Sequence, residues 1–125
     1  WVARMLGMNA YEGVVADDPP DLVRFDGGGG VVTADAPAAG TRVLATIGPE
    51  AVALYRSRPD GSPRNTWPGA VGEVSALGGR VRVQVRGDPD IVAEVTPPAA
   101  ATLGLAPGTE IWVSVKATEI RLTPL

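Results

Sequence analysis

Cysteine and histidine are both missing from the 125 residues. That removes a disulfide framework, a thiol or imidazole nucleophile, a thiolate or imidazole zinc site and a histidine pH switch. No metal site and no catalytic residue set is expected. Aromatic residues make up only 5%, and Lys116 is the single lysine beside ten arginines. The formal charge of -3 and the pI near 4.8 give no overall attraction to nucleic acid or to an anionic lipid surface. No apolar run approaches the roughly 18 residues that a bilayer span requires, and the first residues lack the basic-then-apolar layout of a secretory signal. The chain enters already patterned at Trp1 rather than at a methionine, so a piece of a longer polypeptide is expected.

What the sequence has is turn chemistry and short apolar alternation. Sixteen glycines and twelve prolines disfavour a helical bundle, while 45% hydrophobic residues support a real core. Tyr11–Val15, Leu22–Phe25, Thr41–Ile47 and Ala51–Tyr55 read as strands. Between them, Asp17–Asp21 and Asp26–Gly30 read as turns and Gly48-Pro49-Glu50 redirects the chain. Residues 56–66 are the best candidate for an exposed loop. Gly69–Leu77, a Gly78-Gly79 turn and the period-two run Arg80–Arg86 form a β-hairpin, followed by a strand at Ile91–Val95. Thr96 then caps a short helix over Pro97–Leu103 that stops at Gly104. In the last long strand, alternation puts Ile111, Val113, Val115 and Ala117 on the core face and Trp112, Ser114, Lys116 and Thr118 on the other. A bulge or strand end is expected near Thr118, before Ile120-Arg121-Leu122. No repeat of 20 to 50 residues is visible. The expected fold class is all-β, a small antiparallel OB-like barrel with one short helix.

Ser62-Pro63-Arg64-Asn65-Thr66-Trp67-Pro68-Gly69, followed by Thr96, Ala99, Leu103-Gly104-Leu105, Gly108 and Ser114-Val115-Lys116-Ala117-Thr118-Glu119-Ile120, resembles the Mop or TOBE module. That module is a small oxyanion-binding domain of molybdate-handling proteins. Upstream, Val2–Gly7 with Asn9 and Gly13, and Ile47–Val52, are similar to the region after the nucleotide-binding core in importer ATPases. Gly48 departs there from the Arg-Pro-Glu that the family favours. The resemblance implies a division into an N-terminal β segment, 1–61, following an absent ATPase core, and an oxyanion-binding module, 62–125. It also implies molybdate or tungstate as ligand, with no further cofactor, bound at a homodimer interface by Ser62, Arg64, Asn65, Lys116, Ala117 and Thr118. An attached ATPase core and a membrane permease would be partners, at the cytoplasmic face of the cell membrane. The fragment itself is then not an enzyme but a regulatory domain.

Each feature also has a plainer reading. Lys116, Ser114 and Thr118 fit a solvated strand face, as do Arg80, Arg82 and Arg86. Pro63 has no N–H to offer an anion, and Glu119 would repel one if it pointed inward. Asp26–Gly30 lacks the Gly-Lys-Ser/Thr that a nucleotide loop requires, and reads as a hairpin loop. Asp17-Asp18 and Asp88–Asp90 lack the spaced ligands of a calcium loop. Trp67 and Trp112 fit packing or a subunit contact better than base stacking. For the chain as a whole, a purely structural dimerisation domain and a free-standing molybdate storage protein stand as alternatives.

Overall fold

The hairpin that the sequence marks most strongly is also the longest in the molecule. In a computed structural model, which describes residues 7–60 and 65–125, β6 (Asn65–Leu77) and β7 (Arg80–Gly87) pair around the Gly78-Gly79 turn. Gly78 takes a φ of 60°, which a tight turn requires and glycine adopts without penalty. A register shift between Val71 and Val74 marks a bulge.

The remaining strands are β1 (Asn9–Val15), β2 (Leu22–Phe25), β3 (Gly30–Val32), β4 (Arg42–Ile47), β5 (Ala53–Tyr55), β8 (Ile91–Val95), β9 (Glu110–Val115) and β10 (Ile120–Pro124). They make two five-stranded antiparallel sheets, ordered β10-β4-β1-β2-β3 and β5-β9-β6-β7-β8. These sheets curl toward each other as half-barrels, the OB-like architecture expected from the turn spacing. The one α-helix among the described residues, α1 (Pro97–Leu103), has Thr96 accepting a hydrogen bond from the Ala99 N–H and ends at Gly104 in the left-handed region, φ 63°. No helix of the described residues is long and apolar enough to cross a membrane.

The core is built from the alternate positions of these strands. Val23, Val43, Ala45, Ile47, Val83, Val85, Ala93, Val113 and Val115 are wholly buried and belong to one hydrophobic cluster drawing on both sheets. Small β-branched side chains suit a narrow barrel interior, where a pleated strand buries every second residue.

The order of strands reveals an internal two-fold. Strands β1 to β4, a 3₁₀ turn at Pro49–Ala51 and β5 repeat as β6 to β9, a 3₁₀ turn at Ala117–Glu119 and β10. Each half lends its last strand to the other: β5 pairs with β9, and β10 pairs with β4. The repeat is longer than the 20-to-50-residue window, and its halves differ in loop length, so it leaves no fixed period in the sequence.

Four local expectations change. Asn65 and Thr66 are strand rather than loop, because they pair with Val115 and Ser114 of β9. The run Ala51–Tyr55 splits, with the 3₁₀ turn holding Ala51 and the strand starting at Ala53. Gly30–Val32 forms β3, missed because three residues are too few to show a period. Finally, β9 stops at Val115, short of Ala117.

Candidate functional site

Of the six residues nominated from the sequence, Asn65, Lys116, Ala117 and Thr118 lie among the described residues; Ser62 and Arg64 lie outside them. Asn65 opens β6, directly opposite Val115, the last residue of β9. The chain then leaves the sheet through Lys116 into the 3₁₀ turn Ala117–Glu119, so strand register itself brings Asn65 beside the Lys116 turn.

Asn65 is buried and fully engaged. Its Oδ1 accepts from the Val32 N–H at 2.6 Å, and its Nδ2 donates to the Val32 carbonyl at 2.8 Å and the Val115 carbonyl at 3.3 Å. The side-chain amide therefore acts as a missing strand residue, closing the gap between β3 of one sheet and β6 of the other. Its side chain has no donor to spare for a ligand and serves as a clamp that fixes the turn beside it.

Lys116 is exposed and makes no hydrogen bond or ion pair with a described residue, which leaves a positive charge uncommitted at the end of β9. Ala117 is half-buried and Thr118 exposed. In the turn the Glu119 N–H bonds the Lys116 carbonyl at 2.9 Å and the Ile120 N–H bonds the Ala117 carbonyl. The expected common face of Ser114, Lys116 and Thr118 is not formed. Ser114 is buried within β9 between Ala53 and Thr66, and Thr118 sits on a turn rather than on the strand. The physical reason is that the strand ends at Val115, and alternation holds only while the backbone stays extended.

A second clamp, absent from the sequence reading, mirrors the first. Asn9 opens β1 opposite Ile47, the last residue of β4. Its Nδ2 donates to the Val92 carbonyl at 2.9 Å and the Ile47 carbonyl at 3.2 Å, while its Oδ1 accepts from the Val92 N–H at 2.9 Å. The signal that could have found it is the asparagine at the head of two strands, each separated from the next turn by the same pairing.

Several other charged groups are committed elsewhere. Arg80 and Arg82 both reach Glu94, at 3.3 and 2.6 Å, across β7 and β8. The hydrogen bond from Arg82 holds the Glu94 carboxyl below its ordinary range, against partial burial, with Arg80 assisting. Arg42 bonds Asp26 and lies near Glu12, pinning the β2–β3 loop, and these neighbours raise its already high pKa. Trp67 donates to the Pro89 carbonyl at 3.1 Å, and Arg58 lies 5.6 Å above the Trp112 ring, so each of these tryptophans has a partner within the chain. A cavity of about 420 Å³ opens beside β1 and the β7–β8 turn, but Glu12, Asp26, Asp88 and Asp90 line it. Four carboxylates make it hostile to an oxyanion. Among the described residues no acidic group converges so as to hold a metal ion.

The TOBE domain family model matches residues 61–122, the stretch that runs from just before the Asn65 clamp past the Lys116 turn into β10. This segment is a TOBE domain. Over a wider span the chain is homologous to the C-terminal region of the molybdenum import ATP-binding protein ModC. It is 38% identical to that of Mycobacterium tuberculosis across 98% of this chain and 34% of the relative. It is 34% identical to ModC 1 of Azotobacter vinelandii across 87% of this chain and 32% of the relative. The chain thus spans about a third of the length of the curated relatives it matches, and an ATPase core is not part of it. Among solved structures, the cytoplasmic molybdate-binding protein ModG with molybdate bound superimposes with a TM-score of 0.76 at 26% identity, covering 91% of this chain and 94% of that one.

Proposed function

We propose that this TOBE-containing chain is the regulatory domain of a molybdate or tungstate importer ATP-binding subunit. It binds the oxyanion at a homodimer interface and, when loaded, restrains transport by the ATPase core and membrane permease to which it is coupled at the cytoplasmic face. The observation that carries this reading is Lys116: an uncommitted cation, held at a fixed strand end by the neighbouring Asn65 clamp, in a segment matched by the TOBE family. Residues 62–125 supply the anion chemistry and 1–61 the connection toward the ATPase core.

A tetrahedral dianion is held without metal by convergent N–H groups, hydroxyls and one or two cations. Lys116 supplies the charge, Thr118 a hydroxyl and Ala117 a backbone donor. Ser62 and Arg64 contribute from the other side of the contact, while the Asn65 side chain clamps the Lys116 turn rather than touching the ligand. Charge-assisted bonds contribute about 1.5–3 kcal/mol each, so a handful gives roughly micromolar affinity after ordering costs. An exposed turn on one chain cannot enclose a dianion, which is why a second chain is part of the proposal.

The test is a calorimetric titration with molybdate of the wild type and Lys116→Met, beside a melting curve of each. Ten- to a hundredfold weaker binding at unchanged stability is expected. Equal affinities remove Lys116 from the site. A second reading, a structural dimerisation domain without ligand, draws on the engagement of Asn65 in the fold; dimerisation without any molybdate binding would establish it. The near-complete overlap with ModG supports a third, a free-standing molybdate store, which the reading frame upstream of Trp1 decides.

A further inference from the structure

The internal two-fold makes the Lys116 turn one of two equivalent places in the chain, and their chemistry differs. Register aligns Asn9 and Ile47 of the first half with Asn65 and Val115 of the second. From there Gly48, Pro49 and Glu50 correspond to Lys116, Ala117 and Thr118. The backbones agree closely: Gly48 has φ -66° and ψ 138°, Lys116 φ -70° and ψ 139°. The turn hydrogen bonds also agree, Ala51 N–H to Gly48 carbonyl at 3.0 Å and Glu119 N–H to Lys116 carbonyl at 2.9 Å.

We propose, on the basis of the oxyanion reading above, that the chain binds a molybdate-class dianion only at its Lys116 turn, and that the equivalent Gly48–Glu50 turn is an anion-excluding copy. The cation is replaced by a residue with no side chain. The backbone donor of Ala117 is replaced by Pro49, which has no N–H. The hydroxyl of Thr118 is replaced by the carboxylate of Glu50, which fills the space a side chain at position 48 would enter. Along the sequence alone, the same alignment sets Met8 against Arg64 and Leu6 against Ser62. Each ligand-directed group has been exchanged for an apolar or negative one, while the asparagine that builds the turn has been kept in both halves. The glycine is not demanded by the backbone, since φ -66° is open to any residue. Selection for folding therefore explains the clamp but not the loss of the donors. Each chain takes up one dianion at most, although its internal symmetry offers two places.

The experiment counts bound molybdate by calorimetry and equilibrium dialysis in three versions of this chain. Wild type should bind no more than one per chain. Lys116→Met should bind at least tenfold more weakly, with no second class of site left behind. A transplant carrying Leu6→Ser, Met8→Arg, Gly48→Lys, Pro49→Ala and Glu50→Thr should gain one further site per chain. Two sites per wild-type chain, or a full-affinity site surviving Lys116→Met, overturns the inference while leaving the oxyanion reading standing. No binding by wild type overturns that reading and the inference with it. A folded transplant that gains nothing refutes the assignment of the difference to these positions. Should the transplant fail to fold, the wild-type count and Lys116→Met decide alone.

Discussion

The two halves of the molecule reach one backbone plan by different means. The first half uses short strands, four residues in β2 and three in β3, and an irregular connection from β3 to β4. The second uses a 13-residue strand with a bulge, an eight-residue partner and a capped helix before β9. Where the halves must agree, at the asparagine clamps and the 3₁₀ turns, the geometry is nearly superimposable; elsewhere length and composition have drifted. The lesson is that the scaffold is specified by a few obligatory polar contacts, and the chemistry is free to differ on top of it.

The largest effect should come from breaking the exchange of strands between halves. Ending the chain after Glu119 removes β10, which packs not on its own half but on β4 of the other. Ile120 is buried and Leu122 packs against the core, so losing both forfeits roughly 3–5 kcal/mol by burial alone. We expect the damage to appear in the first half: β4 amides facing β10 should lose hydrogen-exchange protection before those of β7. Equal loss across both sheets would mean that the halves do not depend on each other in this crossed manner.

Next come the clamps. Asn65→Ala strands the Val32 N–H, the Val32 carbonyl and the Val115 carbonyl, and Asn9→Ala does the same at Val92 and Ile47. Leaving buried backbone groups unpaired costs about 2–3 kcal/mol at each clamp, and the two values should agree. Urea denaturation of both variants measures this. A cost confined to Asn65 would turn the pair into an accident of one half.

The fold was legible in the sequence where side-chain periodicity and turn chemistry acted together. Val81, Val83 and Val85 alternate with charged or polar residues, and Thr96 with Gly104 brackets the helix, so these elements could be read with their boundaries. The site was legible only in part. Lys116 was found as an outward cation, but periodicity could not tell where β9 ends, and so placed Ser114 on the wrong side of the line between core and surface. Asn65 was found for a ligand, yet its burial and its link to Val32 depend on a strand from far away in the chain. The second clamp at Asn9 and the repeat behind it became visible only through register, because the two halves share spacing between contacts and not spacing between residues.

The smallest effect tests the ion pairs of the second half, where two arginines share one carboxylate, against the first, where one arginine faces two. Arg82 stands directly opposite Glu94 on the β7–β8 pair, and Arg80 reaches the same carboxylate from the next outward position. The hydrogen bond from Arg82 lowers the Glu94 pKa in the folded chain below the ordinary carboxylate value of 4.5, so the folded form holds the ionised state more firmly than the unfolded one. The stability this contributes is therefore fully present above pH 4.5 and is lost as pH falls from there through the lowered folded value. Cross-strand ion pairs at a partly solvated surface contribute about 0.2–1 kcal/mol, and both arginines retain substantial exposure, so Glu94→Gln should cost no more than about 1 kcal/mol at neutral pH. The variant should also lose part of the wild type's acid sensitivity, so that the two unfolding midpoints draw together as pH falls below 4.5. A gap that stayed constant with pH would mean that Glu94 acts through its packing on β7 rather than through its charge.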